Sequence, residues 1–273
     1  MQLASRFAFR SPTLRSDLPL SDDQIRAVAP SIFADAPHGS RSERYSYIPT
    51  ATVLQELRSE GFEPFMVTQT RVRQEGRRDY TKHMIRLRHA SQVGTWGEAN
   101  EIILLNSHDG TSSYQMLAGM FRFVCKNGLV CGDTVADVSV PHKGDVTGQV
   151  IEGAYEVLRG FDRVNESREA MQAVTLDAGE SEVFARAALA LKYDKPAPIT
   201  ENQILMPRRV DDGRRDLWSV FNRAQENLIK GGLSGRAANG RRQSTRPVQG
   251  IDQNVRLNRA LWLLADGMRQ LKA

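Results

Sequence analysis

Asn100 to Gly132, NEIILLNSHDGTSSYQMLAGMFRFVCKNGLVCG, constrains the fold more than any other stretch, because it packs dense apolar runs, two sharp turns and both cysteines together. Glu101 to Leu105 is rich in β-favouring residues, and His108-Asp109-Gly110 reads as a turn. Tyr114 to Val124 is a second apolar run, and Lys126-Asn127-Gly128 turns the chain into Leu129-Val130-Cys131. Asp-Gly and Asn-Gly between apolar runs are strong hairpin signals, since Asn, Asp and Gly tolerate the positive φ that tight turns require. The stretch therefore predicts an antiparallel β-meander.

Strands are expected on both sides of it. Phe62 to Arg73 carries Phe65, Val67, Thr68, Thr70 and Val72. Thr81 to His89 alternates Thr81, His83, Ile85, Leu87 and His89 against Lys82, Met84, Arg86 and Arg88, and Asp133 to Val140 alternates in the same way. With Ile85 and Leu87 turned to the core, Lys82, Arg86 and Arg88 are expected on the water-facing side, joined by Arg71 and Arg73 of the preceding strand. The tip of that hairpin, Gln74 to Asp79, adds Arg77 and Arg78. Trp96, between Gly94 and Gly97, either stacks on a base or packs over the sheet edge.

Helical patterns flank the sheet. Ser21-Asp22-Asp23-Gln24 is a capping signature for a short helix that Pro30 ends, and Thr50 is a plausible N-cap for a helix carrying Val53, Leu54 and Leu57, closed by Gly61. Val146 to Val174 places Val150, Ala154, Val157, Leu158, Phe161, Val164 and Met171 at helical steps. Shorter stripes follow at Val183–Tyr193, Arg214–Ile229 and Asp252–Leu271. Gly231 to Gly250 lacks the apolar residues to build a core, and reads either as a mobile surface loop or as a segment that orders on a phosphate backbone. The expected organisation is an α+β fold: an N-terminal arm over 1–44, a core of antiparallel β-meander covered by helices over 45–195, and a C-terminal helical region over 196–273, with a boundary at Lys195-Pro196-Ala197-Pro198. The arm can pack on the core, contact a neighbouring subunit or stay mobile.

Charge narrows the partners. The net charge is +5 and the sequence pI about 9.4, with 25% charged and 40% hydrophobic residues. Two basic concentrations stand out: Arg71, Arg73, Arg77, Arg78, Lys82, Arg86 and Arg88 against Glu75 and Asp79, and Lys230 to Arg246 with Arg236, Arg241, Arg242 and Arg246 and no acid. Each is either a solvated face or a surface for a polyanion, whose neutralised phosphates release counterions. Phe7-Ala8-Phe9 is too short for a signal-peptide core and no run spans a membrane, so a cytoplasmic protein without a membrane partner is expected. Cys125 and Cys131 read as buried thiols.

Catalytic patterns are absent: no phosphate-cradling glycine loop, dinucleotide fingerprint, nucleophile elbow or zinc-spaced histidine pair. His38, His83, His89, His108 and His142 are scattered. His108, Asp109 and Asp133 are the residues a metal-dependent nuclease would assemble, but turn chemistry explains His108-Asp109-Gly110 better. Cys125 with His108 lacks an orienting group. A non-enzymatic role is expected, with no cofactor and no metal.

NSHDGTSSYQMLAGMFRFVCKNGLVCG, preceded by the basic strands and followed by a long helix, resembles the phage- and plasmid-borne family catalogued as domain of unknown function 932, over roughly Tyr45 to Tyr193. That resemblance implies a setting, mobile elements whose accessory genes serve recombination, replication or evasion of host defence, and no functional residues. The order helix, three-stranded meander, covering helix is also similar to the core of single-strand annealing proteins such as Redβ, RecT and Erf. This similarity implies a homo-oligomer holding single-stranded DNA along Arg71, Arg73, Lys82, Arg86 and Arg88, with Arg236, Arg241 and Arg242 on the later loop as a second clamp. The other class open to such a chain is an accessory or anti-defence protein acting through a protein partner.

Overall fold

A computed structural model describes residues 12–36, 39, 47–72, 75–92, 97–123, 127–131, 137–193 and 196–272. In chain order the elements are β1 (Thr13–Arg15), α1 (Asp22–Val28), α2 (Thr50–Ser59), β2 (Phe62–Gln69), β3 (His83–His89), β4 (Glu98–Asn106), β5 (Tyr114–Arg122), β6 (Asn127–Val130) and β7 (Val138–Val140). There follow α3 (Val146–Arg159), α4 (Phe161–Ala173), α5 (Ala178–Lys192), α6 (Glu201–Leu205), α7 (Leu217–Lys230), β8 (Ser234–Arg236), β9 (Arg242–Ser244) and α8 (Ile251–Lys272). The fold is α+β, as the alternation of the strands and the helical stripes predict. No helix among the described residues is long and apolar enough to cross a membrane.

The chain divides into two compact units. The first comprises residues 1–124, 136–160 and 249–251; the second comprises 125–135, 161–248 and 252–273. The helices α4 and α5 therefore group with the C-terminal helices, and the expected boundary at Lys195–Pro198 lies within the span of the second unit.

In the first unit β1, β2, β3, β4 and β5 pair in that order, each antiparallel to the next, and β7 adds antiparallel to β5. The meander follows from the sequence: the Asp109 side chain accepts from the Thr111 amide at 3.0 Å and Gly110 takes φ +74°, the turn chemistry that Asp-Gly provides. Part of the N-terminal arm belongs to this unit. Thr13 to Arg15 pairs with Met66 to Thr68, and Leu20, Ile25 and Ile32 are buried. The Ser21 capping box forms as the sequence predicts, with the Ser21 amide donating to Gln24 Oε1.

Helices α2 and α3 cover one side of the sheet, the side on which Ile85, Leu87, Ile102, Leu104 and Met116 lie by strand period and register. Gly153 sets how closely α3 approaches: a Cβ there would run into Met116 and Val138. The helix expected over Val146–Val174 is in fact two. Gly160 caps α3, taking bonds from its amide to the Glu156 and Val157 carbonyls, and Phe161 starts α4.

The second unit is helical apart from a small β-ribbon. Trp218 and Phe221 of α7 meet Trp262 of α8 edge-on at 6.1 Å between ring centres. Asp177 caps α5 with a full capping box, so that helix starts at Ala178, well before the expected Val183. Cys131 is buried as expected; Cys125 and Lys126 lie outside the described residues, whereas Asn127 and Gly128, expected in the turn, are the first residues of β6.

Candidate functional site

The expected row of water-facing arginines does not form on β3. Arg86 and Arg88 are 2% and 3% exposed, on the side of the sheet opposite α2 and α3, and both hydrogen-bond Glu101 of β4, itself 1% exposed. Arg86 Nη1 donates to Oε2 at 3.0 Å, while Arg88 donates to Oε1 from Nε at 3.0 Å and from Nη2 at 2.9 Å. The Arg88 guanidinium also lies over the rings of Phe65, Phe121 and Phe123, 4.2–5.0 Å from their centres. The reason is positional: β3 is an interior strand, and an acid on its neighbour lets guanidinium groups be buried. Glu101, alone among apolar residues in EIILL, was the sequence signal for this pairing.

Other sheet-side candidates are placed differently. Arg71 follows β2, and Arg77 and Arg78 sit on the 3-10 turn Glu75–Tyr80; all three are exposed and form no ion pair among the described residues. Lys82 is half-buried ahead of β3. Arg73, Trp96 and Asp133 lie outside the described residues.

The segment Gly231–Gly250 is an ordered hairpin. β8 and β9 pair antiparallel with Ser234 opposite Ser244, Gly235 opposite Gln243 and Arg236 opposite Arg242. Its tip is closed by the Ala237 amide donating to the Arg241 carbonyl and the Gly240 amide to the Ala237 carbonyl, with Gly240 at φ +78°. Arg236, Arg241, Arg242 and Arg246 are exposed, and none forms an ion pair among the described residues. An open concavity of about 480 Å³ is lined by the six residues of the two strands.

The ribbon is held at its root by polar contacts in place of a core. Gly231 at φ +62° ends α7, and the Gly232 amide donates to the Thr245 carbonyl. Lys192 Nζ donates to the carbonyls of Leu228 and Arg246, at 2.5 and 3.1 Å, and desolvation there lowers its pKa to about 8. Arg208 bonds Asn227 Oδ1 and the Gly231 carbonyl, while Gln203 Nε2 donates to the Ser234 carbonyl. Gly235 lies so close to Pro198 and Ile199 that a Cβ would overlap the Pro198 carbonyl oxygen, and the Arg236 amide donates to that same oxygen at 2.9 Å.

A second feature was missed in the sequence: a buried polar centre between the start of α2 and one end of the sheet. Thr50, expected as an N-cap, is the first helical residue, and its hydroxyl joins side chains from three strands. Ser31 Oγ donates to Gln69 Oε1, so the 2.9 Å contact from His83 Nδ1 to Ser31 Oγ puts the ring proton on Nδ1. The bare Nε2 then accepts from Thr50 Oγ1 at 2.9 Å. Asn106 Nδ2 donates to Thr50 at 3.0 Å, and His108 Nε2 lies 3.2 Å from the same oxygen, as a donor. His142 Nε2 donates to Asn106 Oδ1 at 3.1 Å. Burial disfavours the charged form of all three rings and pushes each pKa down: His83 well below its ordinary value, His108 to about 4, and His142 in the same direction. Ser31, Thr50, His83, Asn106 and His108 are fully buried and His142 is half-buried, and this centre ties the start of α2 to the sheet end.

Comparison with known proteins places the chain. A profile of the family described as Domain of unknown function (DUF932) matches residues 37–262. The chain belongs to this family. DUF932 thus spans the meander, the ribbon and every residue of the polar centre but Ser31, a longer region than the meander signature alone indicates. The chain is 56% identical over 268 residues to the UPF0380 protein YafZ of Escherichia coli (strain K12), covering 98% of this chain and 97% of that protein. To the UPF0380 protein YfjQ of the same organism it is 56% identical over 266 residues, covering 97% of each. No solved structure matches the chain.

Proposed function

We propose that this DUF932 chain binds nucleic acid through Arg236, Arg241 and Arg242 of the β8–β9 ribbon and Arg246 at its root. The observation that carries the reading is the ribbon itself: exposed arginines without acidic partners, on a hairpin fixed at its root by Lys192, Arg208 and Gln203. Arginine suits this task because its planar fork matches phosphate oxygens and stays charged at any physiological pH. Arg71, Arg77 and Arg78 of the first unit are further exposed arginines that could add phosphate contacts. The resemblance to phage- and plasmid-borne proteins fits a role in the DNA transactions of a mobile element, recombination among them, in the cytoplasm. Strand annealing along β3 is not part of this reading, since Glu101 occupies Arg86 and Arg88.

The test is fluorescence anisotropy with labelled oligonucleotides across a salt series. Binding should weaken steeply with salt, and replacing Arg241 and Arg246 together by Ala should lower the logarithmic salt slope by roughly 2, near one per lost phosphate contact. Absence of binding at low salt ends the proposal and turns attention to a protein partner.

A further inference from the structure

Gly235 fixes which side of the β8 strand is open, although its partner Gln243 on β9 is itself exposed. Paired residues on antiparallel strands share a face and alternate residues change face, so Ser234, Arg236, Arg242 and Ser244 lie on one side and Gly235 and Gln243 on the other. The Gly235 side is turned to Pro198 and Ile199, where even a methyl group has no room. The remaining side presents an opposed arginine pair next to an opposed serine pair, all four exposed.

From this geometry we infer that the ribbon is a reader of duplex DNA, entering the major groove with Arg236 and Arg242 toward base edges; the inference rests on the nucleic-acid reading above. Three observations favour a duplex over a single strand. Single-strand binders hold bases by stacking on aromatic rings, and Gly231 to Gly250 contains no Phe, Tyr, Trp or His. The strands are three residues each, so the ribbon reaches about 10 Å, enough for a groove roughly 8.5 Å deep and 12 Å wide, a width that admits a two-stranded ribbon. Its tip, Ala237-Ala238-Asn239-Gly240, has side chains too small to block entry. Arginine is also the side chain that bonds the O6 and N7 acceptors of guanine as a fork, and serine hydroxyls serve any base edge. An RNA duplex is excluded as the preferred partner by its deep, narrow major groove.

The experiment compares full-length chain on a 20-base-pair DNA duplex, either of its single strands and the RNA duplex of the same sequence, at one low salt concentration. At least tenfold tighter binding to the DNA duplex is expected. That preference should disappear in Arg236→Ala/Arg242→Ala and in Gly235→Val, which unseats the ribbon from Pro198. Netropsin, which fills the minor groove, should leave binding unchanged. Equal or tighter binding to a single strand or to the RNA duplex, displacement by netropsin, or a duplex preference that survives Arg236→Ala/Arg242→Ala overturns the inference. Salt-sensitive binding without duplex preference removes this assignment and leaves the phosphate-binding reading standing, whereas no binding to any of the three removes both.

Discussion

Arg88 donates two hydrogen bonds to a single oxygen of Glu101, at 3.0 and 2.9 Å, in a part of the sheet closed to water. Arg86 takes the other oxygen, so one carboxylate answers two guanidinium groups. Glu101→Gln therefore removes the carboxylate charge from beside two buried cations. Breaking a buried pair costs about 3–5 kcal/mol, most of it from the charge left behind. The urea midpoint of the variant should fall accordingly, and replacing Arg86 and Arg88 by Met in the same chain should restore part of the loss. A midpoint unchanged by Glu101→Gln would show that water reaches these arginines.

The polar centre makes acid stability predictable in sign. An unfolded histidine binds its proton near pH 6.5, whereas folded His108 does so only at about pH 4. Between those values the unfolded state carries more protons, so stability is full above pH 6.5 and is lost as the pH falls toward 4. At about 1.4 kcal/mol per pH unit, the gap for His108 is worth on the order of 3 kcal/mol, and the lowered pKa values of His83 and His142 act in the same direction. Urea unfolding at intervals from pH 7 to pH 4 should show this slope, and His108→Gln should flatten it. An identical slope in the variant would mean that the ring is not held neutral.

How far these features could be read from the sequence depends on where their partners lie. The meander was legible because Asp109-Gly110 and the two-residue alternation are local, and so was α1, whose capping box lies wholly within Ser21–Gln24. Thr50 misled because its partners, His83, Asn106, His108 and Tyr114, stand 33 to 64 positions away. A threonine ahead of a helix is read as a cap when only its neighbours are visible. Arg86 and Arg88 misled for the same reason: alternation identifies the side of the strand, but only register with β4 shows that Glu101 is there. The ribbon escaped because it has no apolar face. Asn239-Gly240 carried the same hairpin signal as Asn127-Gly128, yet the flanking residues were polar, and the hairpin is held by main-chain bonds and the close approach of Gly235.

That α3 depends on one missing side chain can be checked by a double-mutant cycle. Gly153→Ala places a methyl group against Met116 and Val138 and should cost about 1–3 kcal/mol, the usual range for overfilling a packed site. Met116→Ala opens space on the sheet side of the same contact. If the two groups collide, the double variant is more stable than the sum of the single losses, with a coupling above about 0.5 kcal/mol. Additive losses would place the strain elsewhere.

Lys192 links the root of the ribbon to its function. Its ammonium satisfies carbonyls of Leu228, in the last turn of α7, and of Arg246, just beyond β9, and it remains there although burial lowers its pKa to about 8. Lys192→Met keeps most of the aliphatic stem and removes both bonds. The expected result is faster amide hydrogen exchange at Gly232 and Thr245, whose bonds close the base of the hairpin, with little change at Leu217–Phe221 in the first turns of α7. Nucleic-acid affinity should fall while the salt slope stays near that of the parent chain, because the arginines are all present and only their placement is loosened. Protection that persists at Gly232 and Thr245 in the variant would show that Arg208, Gln203 and Gly235 hold the ribbon without the lysine.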